Sequence, residues 1–137
     1  MNRVVLIVDD DAAFRDLVTD LLLIEGGVDV AVAEDGDSAL DQMRRLKPAL
    51  VLLDLKMPNV DGFEFSRYAR ADPLLAGIPI VAVTAWGPVD EVRAEALAAG
   101  CAAFLPKPFA LDDLLSVVAR WLPTGSQPDP RYPTGSA

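Results

Sequence analysis

The sequence predicts a doubly wound α/β fold, in which a five-stranded parallel sheet carries helices on both faces. Two observations predict it. Five short runs rich in valine, isoleucine and leucine alternate along the 137 residues with five segments whose apolar residues recur at helical spacing. Most of the runs are apolar throughout rather than alternating, which is typical of parallel strands that helices cover on both faces. The length fits one domain of ordinary size.

The first half of the chain already follows a strand–helix–strand–helix pattern. The first strand is predicted over residues 3–8 and ends at three consecutive aspartates. The helix after it begins near Ala12 and ends at a pair of glycines, which can supply a left-handed helix end. A second strand is predicted over residues 28–33. The helix that follows ends before Pro48, because the residue before a proline disfavours the helical conformation.

The third and fourth strands have the same organisation. Residues 49–54 form an apolar run that closes on Asp54, and a helix then opens at Asp61-Gly62 and ends near Pro73. Residues 78–83 form the fourth strand. An alanine-rich helix follows it and begins at Pro88, since proline suits the first turn of a helix.

The last strand and helix complete the predicted domain. A short fifth strand is predicted over residues 102–105, and a helix follows the Pro106-Lys107-Pro108 turn until Pro123 ends it. Beyond that point proline, glycine, serine and threonine dominate without periodicity. We therefore predict one domain over residues 1–122, and a flexible tail or truncated linker over 123–137.

The connections between the strands limit the possible topologies. Parallel strands need crossover helices, and such crossovers are right-handed. The flavodoxin-like strand order 2-1-3-4-5 is the simplest fit, although the sequence alone does not fix it. In open sheets of this kind ligands bind beyond the carboxyl ends of the strands.

Composition and charge exclude several classes of protein. The formal net charge is −9, so the chain lacks the clustered basic residues that direct nucleic-acid binding requires. Its one cysteine cannot form an intrachain disulfide or a zinc-binding thiol cluster. The sequence shows no signal peptide and no apolar run that could span a bilayer. We expect a cytoplasmic protein without a membrane partner.

Side chains with the potential for chemistry follow four of the predicted strands. Asp9 and Asp10 follow the first strand, Asp54 ends the third, Thr84 follows the fourth and Lys107 follows the fifth. Carboxylates that converge on one edge repel one another, and Mg²⁺ relieves that repulsion with a few oxygen ligands while it keeps positions open for phosphate. A lysine and a threonine can bind further phosphoryl oxygens, and a carboxylate can act as the nucleophile.

These residues carry a resemblance to the receiver domains of two-component response regulators. The match covers about residues 3–122. Its motifs follow one another along the chain in the family's order: Val8-Asp9-Asp10, Asp54-Leu55-Lys56-Met57-Pro58 with Asp61-Gly62, Thr84-Ala85, and Lys107-Pro108-Phe109. Each motif alone is weak, whereas all of them in order, each at a strand end, are strongly specific.

The resemblance implies a role for each residue of the acidic site. Asp54 would be the phosphoacceptor, and Lys107 would contact the phosphoryl group. Asp10, Asp54 and the backbone carbonyl of Lys56 would ligate Mg²⁺, with Asp9 acting through a water molecule. The Lys107-Pro108 peptide bond would be cis, a geometry that is accessible essentially only before proline.

Further roles concern switching and the lifetime of the phosphorylated state. Thr84 would move to hydrogen-bond the phosphoryl group, and Phe104 stands where the family has an aromatic residue whose ring turns inward as that threonine moves. Lys56 and Trp86 occupy the positions at which the family tunes dephosphorylation. We hypothesise that the bulky ring of Trp86 hinders attack by water.

The resemblance implies a signalling switch that promotes only its own phosphorylation and dephosphorylation, not an enzyme acting on other substrates. The chain contains no histidine, so the phosphoryl donor would be a separate histidine kinase or histidine phosphotransfer protein. The output would pass to a downstream protein or to an effector domain beyond this sequence. By family analogy the output surface is the fourth helix, fifth strand and fifth helix. The resemblance leaves open a monomer or a phosphorylation-dependent dimer.

Two other functions compete with this interpretation. A phosphatase of the haloacid dehalogenase type also uses an aspartate nucleophile and Mg²⁺, but it needs a second carboxylate two residues later as general acid. The sequence has Lys56 there. A receiver-like module that is never phosphorylated is the other alternative, and the intact acid pair together with Lys107 argues against it.

Structural explanations also exist for single residues. The acid pair could cap the first helix, near the positive end of its dipole, a role expected above all for Asp11. Asp54 could be a satisfied loop carboxylate, and Lys107 could lie in a solvated turn. Phe104 could be half-buried packing on an edge strand.

Overall fold

A five-stranded parallel sheet forms the centre of the molecule in the computed structural model, which describes residues 3–25, 27–56, 61–85 and 87–122. The predicted tail, 123–137, lies outside the described residues, as do 57–60 and Trp86. The elements in chain order are β1 (Val4–Val8), α1 (Ala12–Glu25), β2 (Asp29–Ala33), α2 (Gly36–Leu46), β3 (Leu50–Leu53), α3 (Gly62–Ala71), β4 (Ile80–Thr84), α4 (Val89–Ala98), β5 (Ala103–Pro106) and α5 (Leu111–Trp121).

The strand order is β2-β1-β3-β4-β5, and every neighbouring pair is parallel. The predicted doubly wound fold and its order 2-1-3-4-5 are therefore confirmed. In the register of the sheet, Val8 pairs with both Ala33 and Leu53, and Thr84 pairs with Pro106. The carboxyl ends of the strands thus meet along one edge.

The two faces of the sheet bury separate apolar cores, as a doubly wound fold requires. On one face α1 and α5 pack through Val18, Leu22, Leu114 and Val118. On the other face α2, α3 and α4 pack through residues that include Met43, Phe65, Ala69, Val92 and Ala96. Since consecutive residues of a strand point to opposite faces, an apolar run such as Leu50–Leu53 contributes to both cores.

The strand limits differ from the predicted ones by one or two residues, and β4 shows why. The fourth strand was predicted to begin at Ile78, but it begins at Ile80. Ile78 instead donates its amide to the carbonyl of Leu75 in a turn, at 3.0 Å. Pro79 has no N–H to donate, so only its carbonyl joins the sheet, where it accepts from Val51.

The loop after β3 is closed by backbone contacts that only glycine allows. Lys56 and Asp61 form an isolated antiparallel bridge, and the amide of Gly62 donates to the carbonyl of Leu55 at 3.0 Å. A β-carbon on Gly62 would lie 2.5 Å from the α-carbon of Leu55, which is too close for any other residue. The Asp61 carboxylate then caps α3 by accepting from the Phe63 amide. The start of α3 is thereby fixed directly beside Asp54.

None of the helices in the described parts of the chain is both long and apolar enough to cross a bilayer.

Candidate functional site

The backbone ladder of the sheet extends one residue past β1 and β3, and this extension places two aspartates side by side. The amide of Asp9 donates to the carbonyl of Ala33 at 3.1 Å, and the amide of Asp54 donates to the carbonyl of Val8 at 2.9 Å. Carboxylate oxygens of Asp9, Asp10 and Asp54 all lie within 4.8 Å of one another. The three carboxylates predicted to converge therefore do so.

The three carboxylates differ in their exposure to solvent. Asp9 is buried, with only 1% of its surface exposed, and the Asp54 side chain is 11% exposed, whereas Asp10 is open to solvent. Asp9 is also tied to the start of α1, because its carboxylate accepts from the Asp11 amide and its carbonyl accepts from the Arg15 guanidinium, at 2.9 and 2.7 Å. The site thus has a buried base, formed by Asp9 and Asp54, and a solvent-exposed acidic side at Asp10.

Lys107 reaches the carboxylates from the end of β5. Its amide donates to the carbonyl of Thr84 at 3.0 Å, which continues the pairing of β4 with β5. Its ammonium lies 2.8 Å from Asp9 and 3.9 Å from Asp54, and the Lys107-Pro108 peptide bond is cis, as predicted. The side chain is 20% exposed. The ammonium is thus paired with Asp9 and stands next to Asp54, and Lys107 is not a solvated turn residue.

Opposing influences act on the pKa of Asp54, and the net result raises it above the ordinary value. Burial raises the pKa most, while the hydrogen bond from the Lys56 amide lowers it. The negative charge of Asp9 raises it further, and Lys107 and the hydroxyl of Thr84 lower it. The ionised form of Asp54 is therefore destabilised in this protein without a further cation.

The donor set fits a hard divalent cation. Three carboxylates within reach of one another, one of them exposed to solvent, supply the oxygen ligands that Mg²⁺ prefers and leave room for water or phosphate. Lys107 neutralises only part of the charge of this cluster. The Lys56 amide donates to Asp54 at 3.1 Å, which orients the acceptor carboxylate. Ligation by the Lys56 carbonyl stays a prediction.

A cavity of about 390 Å³ opens beside the acceptor. Its lining combines the carboxylate, a hydroxyl and an ammonium with backbone from the loop after β4; it consists of Asp54, Lys56, Thr84, Ala85, Gly87 and Lys107. Thr84 itself is buried at the end of β4 and hydrogen-bonds Asp54. A tetrahedral oxyanion in this cavity would meet a nucleophile and hydrogen-bond donors at the same time.

The residues predicted to switch or to tune the site are placed only in part. Phe104 is half-buried on β5, packs against the core of the α2, α3 and α4 face, and carries the Arg93 guanidinium 5.7 Å from its ring centroid. Its role as a switch stays a prediction. The Lys56 side chain is exposed at the rim, and Trp86 lies outside the described residues. Tuning by these two residues also stays a prediction.

Two residues beside the site were not predicted to take part in it. Phe14, in the first turn of α1, has the centroid of its ring 3.8 Å from the Lys107 ammonium. Arg15 donates to the carbonyl of Asp9. Neither contact follows from a motif or spacing. The available signal was position alone, because the first turns of α1 must lie beside the strand end from which that helix starts.

The chain matches known proteins along most of its length. The family model described as "Response regulator receiver domain" matches residues 5–119. Among curated proteins, Response regulator Rre1 of Synechocystis is 37% identical over 117 residues, and DNA-binding response regulator MtrA of Mycolicibacterium paratuberculosis is 41% identical over 119 residues. These alignments cover 85% and 86% of the chain but 50% of each relative. The chain thus spans about half the length of these relatives.

Solved structures show the same likeness. Chemotaxis response regulator CheY4 of Vibrio cholerae superimposes with a TM-score of 0.80 at 31% identity, covering 89% of this chain and 100% of that one. A putative response regulator from Chloroflexus aurantiacus superimposes with a TM-score of 0.81 at 30% identity, covering 89% and 98%. The strand order and the helices on both faces are those of these proteins.

Proposed function

Because the chain belongs to the response regulator receiver domain family of two-component systems, we propose that Asp54 accepts a phosphoryl group from a phosphohistidine of a partner protein. The observation that supports this most is the meeting of Asp54 with Asp9, Asp10 and Lys107 at one edge of the sheet. A carboxylate nucleophile, a partly compensated acidic cluster and an ammonium are the groups that transfer to a carboxylate requires.

The transfer exchanges one bond to phosphorus for another. A carboxylate oxygen of Asp54 forms an O–P bond while the N–P bond of the phosphohistidine breaks, and the electron pair of that bond remains on the imidazole nitrogen. The donor leaves as a neutral imidazole when its second ring nitrogen carries a proton. The product at Asp54 is a mixed anhydride, which can later be hydrolysed by water.

The chain's own residues orient the acceptor and stabilise the charge that moves. The Lys56 amide, which donates to Asp54 at 3.1 Å, holds that carboxylate in one orientation. Lys107 is close enough to Asp54 to bind a phosphoryl oxygen with a small movement of its ammonium. Mg²⁺ held by Asp10, Asp54 and the Lys56 carbonyl, with Asp9 acting through water, would neutralise charge on the phosphoryl oxygens. The buried Asp9 keeps Lys107 beside the site at the start of the reaction.

The switch begins at Thr84 and ends at the surface formed by α4, β5 and α5. In this proposal the phosphoryl dianion draws the hydroxyl of Thr84 toward Asp54, and the ring of Phe104 turns into the space that this movement opens. The resting and active states differ by a population shift, in which the dianion favours an arrangement that already exists. Few side chains of α4 are buried, Val92 and Ala96 among them, which supports movement of this helix.

The partners follow from the same chemistry. The donor is a histidine kinase or a histidine phosphotransfer protein, which places the reaction in the cytoplasm. In the relative named DNA-binding response regulator MtrA, the residues that match this chain make up 50% of the length. We propose that the 1–122 receiver unit passes its signal to a downstream protein or to an effector domain joined through 123–137. It acts as a monomer or as a phosphorylation-dependent dimer.

Incubation with Mg²⁺ and a small phosphodonor such as acetyl phosphate, followed by intact mass, separates this function from its two alternatives. We expect one phosphoryl group per chain in the parent and none in Asp54→Asn. Continuous release of phosphate over many turnovers would indicate a phosphatase instead. The absence of any adduct in the parent would indicate an interaction module that is never phosphorylated.

A further inference from the structure

The ammonium of Lys107 has a third neighbour besides Asp9 and Asp54, which is the aromatic ring of Phe14. The Lys107 nitrogen lies 3.8 Å from the centroid of that ring, well inside the roughly 6 Å within which a cation is attracted to a ring face. The ring therefore covers a side of the ammonium that water would otherwise occupy.

This contact differs from the other cation–aromatic pairs of the described residues. In those pairs the cation is an arginine at 5.5 to 5.7 Å from the ring centroid; they are Arg44 over Tyr68, Arg93 over Phe104 and Arg120 over Trp121. The Arg44 and Arg93 side chains are 44% and 47% exposed, whereas Lys107 is only 20% exposed. Because cation–aromatic attraction strengthens when the pair is desolvated, the Phe14 contact should be stronger than those of Arg44 and Arg93.

We propose that Phe14 is a positioning residue for phosphoryl transfer, whose ring face holds the Lys107 ammonium beside Asp9 and Asp54. The inference rests on the proposed function, since it assigns Phe14 to the reaction at Asp54. Phe14 acts through Lys107 and does not itself touch the reacting atoms.

The physical reason lies in the flexibility of lysine. A lysine side chain ends in a compact cation on a flexible four-carbon stem, and holding it in one place costs conformational entropy. Asp9 binds the Lys107 ammonium at 2.8 Å, but the 3.9 Å to Asp54 is too long for a hydrogen bond. The ring of Phe14 adds a second attraction that directs the remaining N–H donors away from the ring and toward the carboxylates.

Phe14 is itself held from two directions. The Asp11 carboxylate accepts from the amides of Ala13 and Phe14 at 3.0 and 3.3 Å, and so fixes the first turn of α1. The ring of Phe109 stands nearly perpendicular to that of Phe14, with centroids 6.0 Å apart, a favourable arrangement for two aromatic rings. Because Phe109 follows Lys107 by two residues, the loop after β5 carries both the cation and a support for the ring that binds it.

The test is a series of substitutions that changes the ring's charge distribution while it keeps the ring's size. Fluorinated phenylalanines at position 14, with one, two and three fluorine atoms, weaken the negative ring face stepwise. We expect the phosphorylation rate with acetyl phosphate to fall at each step. Phe14→Leu, which keeps an apolar side chain without a ring face, should lower the rate by roughly three- to tenfold. Phe14→Trp keeps an aromatic ring face at this position and should therefore have about the same rate as the parent.

An NMR measurement tests the contact between Phe14 and Lys107 without any phosphoryl transfer. The ring current of Phe14 should shift the NMR signals of the Lys107 side-chain terminus upfield, and this shift should disappear in Phe14→Leu. Tyr68→Leu is the matched control, because it removes the ring of another cation–aromatic pair, between α2 and α3 on the opposite face of the sheet. It should leave both the rate and the Lys107 signals unchanged.

The outcomes separate this inference from the function on which it rests. If the parent is phosphorylated but the rate is indifferent to fluorination, Phe14 serves only as apolar packing and the inference is wrong. A Lys107 signal that is the same in the parent and in Phe14→Leu would also overturn it. If the parent itself forms no adduct at Asp54, the proposed function fails and the role in transfer fails with it, whatever the Lys107 signals show.

Discussion

The acceptor edge is the edge of the sheet at which Asp9, Asp10, Asp54 and Lys107 meet. It lies next to helix α4 along the sheet, but the two regions are held in place very differently. At the acceptor edge the buried Asp9 makes polar contacts with Lys107, the Asp11 amide and Arg15, and its own amide donates to the carbonyl of Ala33. Helix α4 begins at Val89, directly after Pro88, whose side chain cannot cap it, and Gly87, which has a φ of 78°. Among the described residues, the site is thus held by side-chain contacts, whereas the start of α4 has no side-chain cap, a difference that suits the proposed switch.

The C-terminal end of α4 is firmly held. The guanidinium of Arg70 donates to the carbonyls of Gly100 and Ala76, and the amide of Cys101 donates to the carbonyl of Ala96. These bonds tie α4 to α3 and to the start of β5. If α4 moves on phosphorylation, its beginning should therefore move more than its end.

Removing the Arg70 clamp should have the largest effect on stability. Arg70→Ala leaves two part-buried carbonyls without their charged donor, and we expect a loss of about 3 kcal/mol in the free energy of unfolding. Urea denaturation measures it. Arg67→Ala, on the exposed side of the same helix, should change the stability by less than about 0.5 kcal/mol. Equal effects of the two substitutions would show that the α4 end is not anchored by Arg70.

Mg²⁺ should stabilise the acceptor edge by a comparable amount. A ligand that binds only the folded state at 100 times its dissociation constant raises the free energy of unfolding by about 2.7 kcal/mol. Because Asp10 is the exposed carboxylate of the cluster, Asp10→Asn should leave the metal-free protein almost unchanged and remove most of the gain from Mg²⁺. The same gain in parent and variant would mean that Mg²⁺ does not bind at this cluster.

Asp54→Asn should stabilise the metal-free protein at neutral pH, because the raised pKa of Asp54 makes its ionised form unfavourable in the folded state. Burial raises the pKa of Asp54, so the folded state binds more protons than the unfolded state above the ordinary pKa of 3.8. The parent therefore loses stability as the pH rises through the folded pKa, and the variant does not. The difference should vanish at a pH well below 3.8, where the carboxyl is protonated in both states. A variant less stable than the parent at neutral pH would contradict this explanation.

The smallest effect on stability should come from removing the side-chain contact between Arg93 of α4 and Phe104 of β5. The Arg93 guanidinium lies 5.7 Å from the centroid of the Phe104 ring, and the Arg93 side chain is 47% exposed. Arg93→Ala should therefore lower the free energy of unfolding by no more than about 0.5 to 1 kcal/mol. We expect the main effect of Arg93→Ala to be local: faster hydrogen exchange of the α4 amides and a change in the NMR signals of the Phe104 ring. Unchanged exchange would show that Arg93 does not restrain the start of α4.

The residues of the site that lie at strand ends are easier to predict from the sequence than the side chains that pack around them. Asp9, Asp54 and Thr84 are predictable because each lies at the end of a strand, and parallel strands end at one edge. Lys107 follows from the same rule and from the family motif. The Phe14 ring beside Lys107 and the Arg70 clamp are not predictable, because these side-chain contacts join residues far apart in the sequence and no periodicity marks them.

The central claim is that Asp54 is the residue that accepts the phosphoryl group, and chemical trapping tests it most directly. Borohydride reduces an aspartyl phosphate to homoserine, which peptide mass spectrometry can locate. After incubation with Mg²⁺ and acetyl phosphate we predict homoserine at position 54 and unchanged aspartate at positions 9 and 10. Homoserine at another position, or none at position 54 in a folded protein that binds Mg²⁺, would contradict the claim.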